Sequence, residues 1–151
     1  MNLGKAIRIA ATAHEKHEDR GNNPYILHSV QVCQNPILKD EDEKVVAVLH
    51  DVLEMTGHPA LFLEFLKEEG LTDRQEILLV NVTRNPGEMQ SEYINRVASD
   101  HGSVRIKIAD LEHNMDIKRI TDGSKISTKL LSRYHSVWIY LKNLLNEASA
   151  G

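Results

Sequence analysis

Apolar residues recur at helical spacing along nearly the whole chain. Leu3, Ala6, Ile7, Ala10 and Ala13 form one stripe, which ends in the polar, glycine-containing run from Glu18 to Asn23. Pro24 then opens a short segment, Tyr25 to Cys33, with a histidine at its centre. A second helix is predicted from near Asp40, where four acidic residues suit a positive helix N-terminus, through Val45, Val48, Leu49 and Val52. Gly57 and Pro59 break it. Pro59 to Glu69 reads as a further helix closed by Gly70, and Thr72 with Gln75 reads as a capping box for the next. Pro86 and Gly87 separate that helix from one over Met89 to Ala98. After Gly102 the apolar-rich stretch Val104 to Ile120 carries a concentrated set of polar residues. The last helix is long, with Leu130, Tyr134, Val137, Trp138, Leu141, Leu144 and Leu145 on one face. No stretch alternates at period two, so an all-α protein without a sheet is predicted.

The length of 151 residues predicts one domain, 1–151, and 41% hydrophobic residues suffice for an ordinary core. A net charge of −4 argues against nucleic acid or a membrane surface as partner, because both are usually met by a basic face. A phosphate-bearing ligand would need a local cluster of cations or a metal. Cys33 is the single cysteine, which leaves no intrachain disulfide and no thiolate cage; a small buried residue is expected there. No apolar run marks a signal peptide or a bilayer span, so the expected location is cytoplasmic. The oligomeric state is not legible.

The adjacent pair His50-Asp51 lies within a strongly apolar stretch, where a charged group needs a partner or a metal to offset its desolvation. Glu54 follows four residues after His50, on the same side of the expected helix. Asp110 repeats the pattern after the apolar run Arg105-Ile-Lys-Ile-Ala, with Asn114 one turn later, and His28 is a third polar residue in an apolar setting. Singly, each would read as a core histidine or a helix cap. Together, two histidines and two aspartates suit a divalent ion of hard to borderline character. His14 and His17, one turn apart, lack a carboxylate partner and read as solvated or packing residues. Glu112 and the run Lys39 to Lys44 read as solvated charge, His113 is placed less favourably than Asn114, and Trp138 reads as core.

The ordered His…His-Asp…Asp set with these flanks resembles the HD superfamily, and within it the Rel/SpoT-like hydrolase branch, including its small free-standing members. The resemblance runs from about Ile7 to Leu145. It rests on Pro24-Tyr-Ile-Leu-His28, Val46-Ala-Val-Leu-His50-Asp51-Val-Leu-Glu54, Thr83-Arg84 with Tyr93-Ile-Asn-Arg-Val, and Lys107-Ile-Ala-Asp110-Leu-Glu-His-Asn114. It implies a compact HD-domain helical bundle with a metal site between helices. The metal ligands it implies are His28, His50, Asp51 and Asp110, holding one divalent ion, with manganese the expected metal. Glu54 is the implied catalytic glutamate. Arg20, Asn114 and Tyr134 are the implied nucleotide contacts, with Lys107 a further cation for phosphate. The implied reaction removes the 3′-pyrophosphate of a guanosine polyphosphate of the ppGpp type. The same ligands would also serve a phosphohydrolase acting on another nucleotide, or a catalytically weak, metal-stabilised nucleotide-binding protein. The last alternative is suggested by Met55, which stands where the family commonly has aspartate. Ser29 replaces the usual proline, and Asn22 the usual glycine, in a loop where asparagine best tolerates a left-handed turn.

Overall fold

The computed structural model describes residues 1–151. Nine α-helices follow one another: α1 (Leu3–Ala13), α2 (Ile26–Cys33), α3 (Glu41–Leu49), α4 (Val52–Met55), α5 (Pro59–Glu68), α6 (Asp73–Val82), α7 (Gln90–Ala98), α8 (His101–Met115) and α9 (Thr128–Ala150). Two short 3-10 turns, Ile117–Arg119 and Gly123–Lys125, join α8 to α9. The all-α expectation holds. There is no strand, only an isolated bridge between Glu18 and Pro24. No helix is long and apolar enough to cross a membrane.

Polar side chains set the helix starts. The Asn2 side chain accepts from the Lys5 amide at 2.9 Å, Asp40 from Glu43 at 2.9 Å and Ser127 from Leu130 at 3.2 Å. Thr72 and Gln75 form the expected capping box at α6. The Asp100 carboxylate caps α8 by accepting from the Gly102 amide at 2.7 Å, and the helix begins at His101. Gly102 sits inside the first turn because α8 runs close to α6: a Cβ there would lie 2.9 Å from Leu78 Cδ2. Asn22 adopts φ 61°, the left-handed conformation anticipated for it.

α3 is the central helix. Val45, Val46, Ala47, Val48 and Leu49 are all fully buried, as a helix apolar on every side requires, and α1, α2, α6 and α8 pack around it. Burial of each such valine or leucine contributes about 1.5–3 kcal/mol. A second, smaller core joins α7, α8 and α9 through Tyr93, Val97, Ile108, Leu111 and Leu141. α8 belongs to both: Ile106 and Ala109 face the first core and Val104, Ile108 and Leu111 the second. Asp110 is thereby held rigidly between the two.

Two sequence expectations need correction. The helix starting near Asp40 does not run unbroken through Val52; it stops at Leu49 and resumes as α4, with His50 and Asp51 at the break. The His50 ring nitrogen Nδ1 donates to the Ala47 carbonyl at 2.7 Å, a side chain intruding on the backbone ladder at that turn. The acidic helix start is also not wholly solvated. Glu43 is 1% exposed and binds the Arg105 guanidinium, whose Nε lies 3.0 and 3.1 Å from its two carboxylate oxygens. Cys33 is buried and unpaired, as expected.

Candidate metal centre

Three parts of the fold bring the candidate ligands together: α2 carries His28, the α3–α4 break carries His50 and Asp51, and α8 carries Asp110. His28 Nε2 lies 3.3 Å from His50 Nε2, 3.2 Å from Asp110 Oδ1 and 3.7 Å from Asp51 Oδ2. His50 Nε2 lies 3.0 Å from Asp51 Oδ2 and 3.5 Å from Asp110 Oδ1. Metal bonds of about 2.0–2.2 Å place neighbouring ligand atoms roughly 3–3.5 Å apart, so these separations fit a shared cation. Donor atoms of His28, His50 and Asp51 alone fall within 4.8 Å of one another. His28, His50 and Asp110 are almost wholly buried, and Asp51 is partly open to the adjoining cavity.

Each candidate ligand is held by a further group. Tyr25 donates its hydroxyl to Asp51 Oδ2. Asp110 receives Lys107 Nζ on Oδ2 at 2.7 Å and Asn114 Nδ2 on Oδ1 at 2.7 Å. His28 Nδ1 lies 2.6 Å from His113 Nδ1. Burial alone would raise the Asp110 carboxyl, but the Lys107 charge and the two imidazoles outweigh it and hold the group well below the usual carboxylate range. Asp51, likewise opposed by burial, is lowered by His50. Burial would lower the His50 imidazole, yet the Asp51 and Asp110 carboxylates raise it well above its ordinary value. The pocket therefore has a negative field that favours a positive charge at its centre.

Two cavities meet at this cluster, both bordered by Asp51, Lys107 and Tyr134. The larger, about 320 Å³, is lined by Arg20 and Asn114 and by a wall of Ile117, Ile120, Ile126, Leu130 and Leu131. The smaller, about 220 Å³, is lined by Glu54, Arg84, Gln90 and Arg133. Arg20, Lys107, Asn114, Tyr134 and Glu54 are thus all brought to the cluster. Lys107 and Asn114 nevertheless spend one contact each on Asp110. Glu54 reaches solvent at the mouth of the smaller cavity, where its Oε1 accepts the Arg84 amide at 2.6 Å. Burial and the nearby Asp51 charge push its carboxyl up, although the Arg84 amide opposes this. Met55 lines neither cavity. It borders an apolar groove with Ala13, Leu61, Phe62 and Phe65.

Tyr25, His113, Arg84 and Arg133 carry parts of the site that the sequence reading did not assign. Tyr25, Arg84 and His113 stand within the motifs that carry the resemblance, whereas Arg133 has no such signal. Glu112 is not a solvated charge: it accepts from Asn35 Nδ2 at 2.7 Å and from Trp138 Nε1 at 3.0 Å, tying α8 to α9 and to the end of α2. His14 is buried and packs on Tyr25, with its Nδ1 3.2 Å from His17 Nδ1. Burial lowers the His14 pKa to about 4, so the ring is neutral and a packing residue.

No family model matches the chain. It is 31% identical over 134 residues to a protein of Mycobacterium leprae named "Probable GTP pyrophosphokinase", a match covering 83% of this chain and 17% of that protein. It is 30% identical over 136 residues to the bifunctional (p)ppGpp synthase/hydrolase RelA of Mycobacterium tuberculosis, covering 84% of this chain and 18% of that protein. The chain thus spans less than a fifth of the length of these relatives. Among solved structures it superposes on a metazoan ortholog of SpoT, described as hydrolyzing ppGpp, with a TM-score of 0.73 and 21% identity, covering 95% of this chain and 84% of the other. Sequence similarity and fold agree: the chain has the all-α HD-domain fold of that neighbour and is similar, over most of its length, to a segment of proteins of the Rel/SpoT group.

Proposed function

We propose that this chain is a metal-dependent phosphohydrolase that removes the 3′-pyrophosphate of a guanosine polyphosphate. The observation that carries the reading is the cluster of His28, His50 and Asp51, with Asp110 Oδ1 3.2 Å from His28 Nε2, beside a cavity bordered by Arg20, Asn114 and Tyr134. The ppGpp chemistry named for the relatives supports the substrate class. On this reading residues 1–151 work as one unit in the cytoplasm.

The four side chains would hold a divalent ion, with manganese our choice. Such an ion, when bound, supplies Lewis acidity that lowers the pKa of water and polarises a phosphoryl oxygen. The rest falls to the chain's own residues. Glu54 has one oxygen committed to the Arg84 amide, which leaves Oε2 to accept the proton of the attacking water. The raised Glu54 pKa suits a general base. The nucleoside fits the larger cavity, whose aliphatic wall faces Arg20 and Tyr134. The phosphate-rich end fits the smaller, where Arg84, Lys107 and Arg133 outnumber Asp51 and Glu54. This local excess of cations answers how an acidic protein binds an anion.

The test is a panel of nucleotides given to the manganese-loaded protein, with phosphate and pyrophosphate release resolved. Pyrophosphate is expected from guanosine tetraphosphate, with nothing comparable from ordinary mono-, di- and triphosphates. Release from another nucleotide instead would reassign the substrate, and binding without turnover would make the chain a nucleotide-binding protein.

A further inference from the structure

The two histidines of the cluster are braced differently. His50 gives its Nδ1 proton to a backbone carbonyl, that of Ala47 at 2.7 Å. His28 has no carbonyl or carboxylate on its Nδ1. Its partner is another imidazole, the Nδ1 of His113, at 2.6 Å and from α8 rather than its own helix. Two ring nitrogens at that separation must share one proton, since two lone pairs or two N–H groups would repel. The question is which ring owns it.

We infer that His113 is a positioning residue for His28, holding its ring in the tautomer that turns an unprotonated Nε2 toward Asp110 and His50. The inference rests on the metal reading proposed above. A neutral imidazole that offers Nε2 to a cation carries its proton on Nδ1, so His28 must be the donor and His113 Nδ1 the acceptor. His113 then keeps its own proton on Nε2. It borders a separate polar groove of about 380 Å³ with Gln31, Asn35 and Arg119, where that N–H has polar surroundings. The bond also fixes the ring plane, because it crosses from α2 to α8 and the two rings tilt by 36° with centroids 4.8 Å apart. His113 lies three residues after Asp110 on α8, so one helix supplies both a candidate ligand and the brace for another.

The experiment compares Mn2+ binding by calorimetry in the full chain and in His113→Leu, His113→Asn and His28→Ala, with melting followed in chelator. Loss of a group that orients a metal-bound imidazole typically costs about 10–100-fold in affinity. His113→Leu is expected to weaken Mn2+ binding by that factor, and His113→Asn, whose amide oxygen can occupy the acceptor position, to restore most of it. Melting in chelator should not follow this order, whereas a packing role alone would move it and leave affinity untouched. Unchanged affinity in His113→Leu while His28→Ala loses the ion overturns the inference and leaves the metal reading standing. Unchanged affinity in His28→Ala overturns the metal reading itself. Should His113→Leu fail to fold, nitrogen-detected NMR of the zinc-loaded natural chain decides. A proton on His28 Nδ1 and on His113 Nε2 supports the assignment, and a proton on His113 Nδ1 overturns it.

Discussion

Asp110→Ala is expected to abolish binding of the divalent ion and, separately, to destabilise the metal-free fold by about 3–5 kcal/mol. The first effect follows from the loss of a candidate ligand oxygen that stands 3.2 Å from His28 Nε2 and 3.5 Å from His50 Nε2. The second follows from Lys107. Burial works against the Lys107 ammonium, and the Asp110 charge at 2.7 Å is the main influence holding it protonated. Remove the carboxylate and an ammonium is left among Tyr93 and the second core with its principal counter-charge gone. Asp51→Ala provides the comparison. It also removes a ligand, but the Lys107–Asp110 pair survives, so the stability cost in chelator should be clearly smaller. Metal content by mass spectrometry and urea unfolding in chelator read the two effects independently. Full metal occupancy in Asp110→Ala would sink the ligand assignment, and equal stability of the two variants would sink the account of Lys107.

Glu54→Gln is expected to slow pyrophosphate release by about 10²–10⁴-fold, the range for a lost general base, while Mn2+ affinity and melting temperature stay close to those of the natural chain. Glutamine keeps the shape, and its amide oxygen can still accept from the Arg84 backbone, so α4 and the following loop keep their contact. What disappears is a carboxylate oxygen whose basicity burial and the Asp51 charge raise. Single-turnover rates with guanosine tetraphosphate are the measurement. A loss below tenfold would assign proton transfer elsewhere, and a parallel loss of metal would make Glu54 part of the cation site instead.

The helix inventory was legible because α1, α6, α7 and α9 each carry an apolar stripe and most have a capping side chain at the expected place, as with Thr72 and Gln75. The break at His50 was not, since both halves of the stretch are apolar and no periodicity encodes the side-chain bond to Ala47 found there. The convergence of His28 with Asp110 was legible only through the family resemblance. Bonds such as His28–His113 span 85 positions in sequence and have no local signature. Residue 55 shows the same limit. As the next residue along a helix it looked like a neighbour of Glu54, but the short α4 turns Met55 to the apolar groove beside Phe62 while Glu54 faces the smaller cavity. Glu43 and Glu112 misled for a related reason: a carboxylate beside other charges reads as surface until Arg105, or Asn35 and Trp138, arrive from distant segments.

Trp138 is the single tryptophan of the chain, and its indole N–H is bonded to Glu112, two residues beyond Asp110 on α8. One turn earlier on the same helix stands Tyr134, which borders both cavities. The molecule therefore contains its own optical gauge. Indole emission responds to the polarity and hydrogen bonding around the ring, so the signal of this one fluorophore follows the seating of α9 against α8 and can be monitored in real time without an added dye.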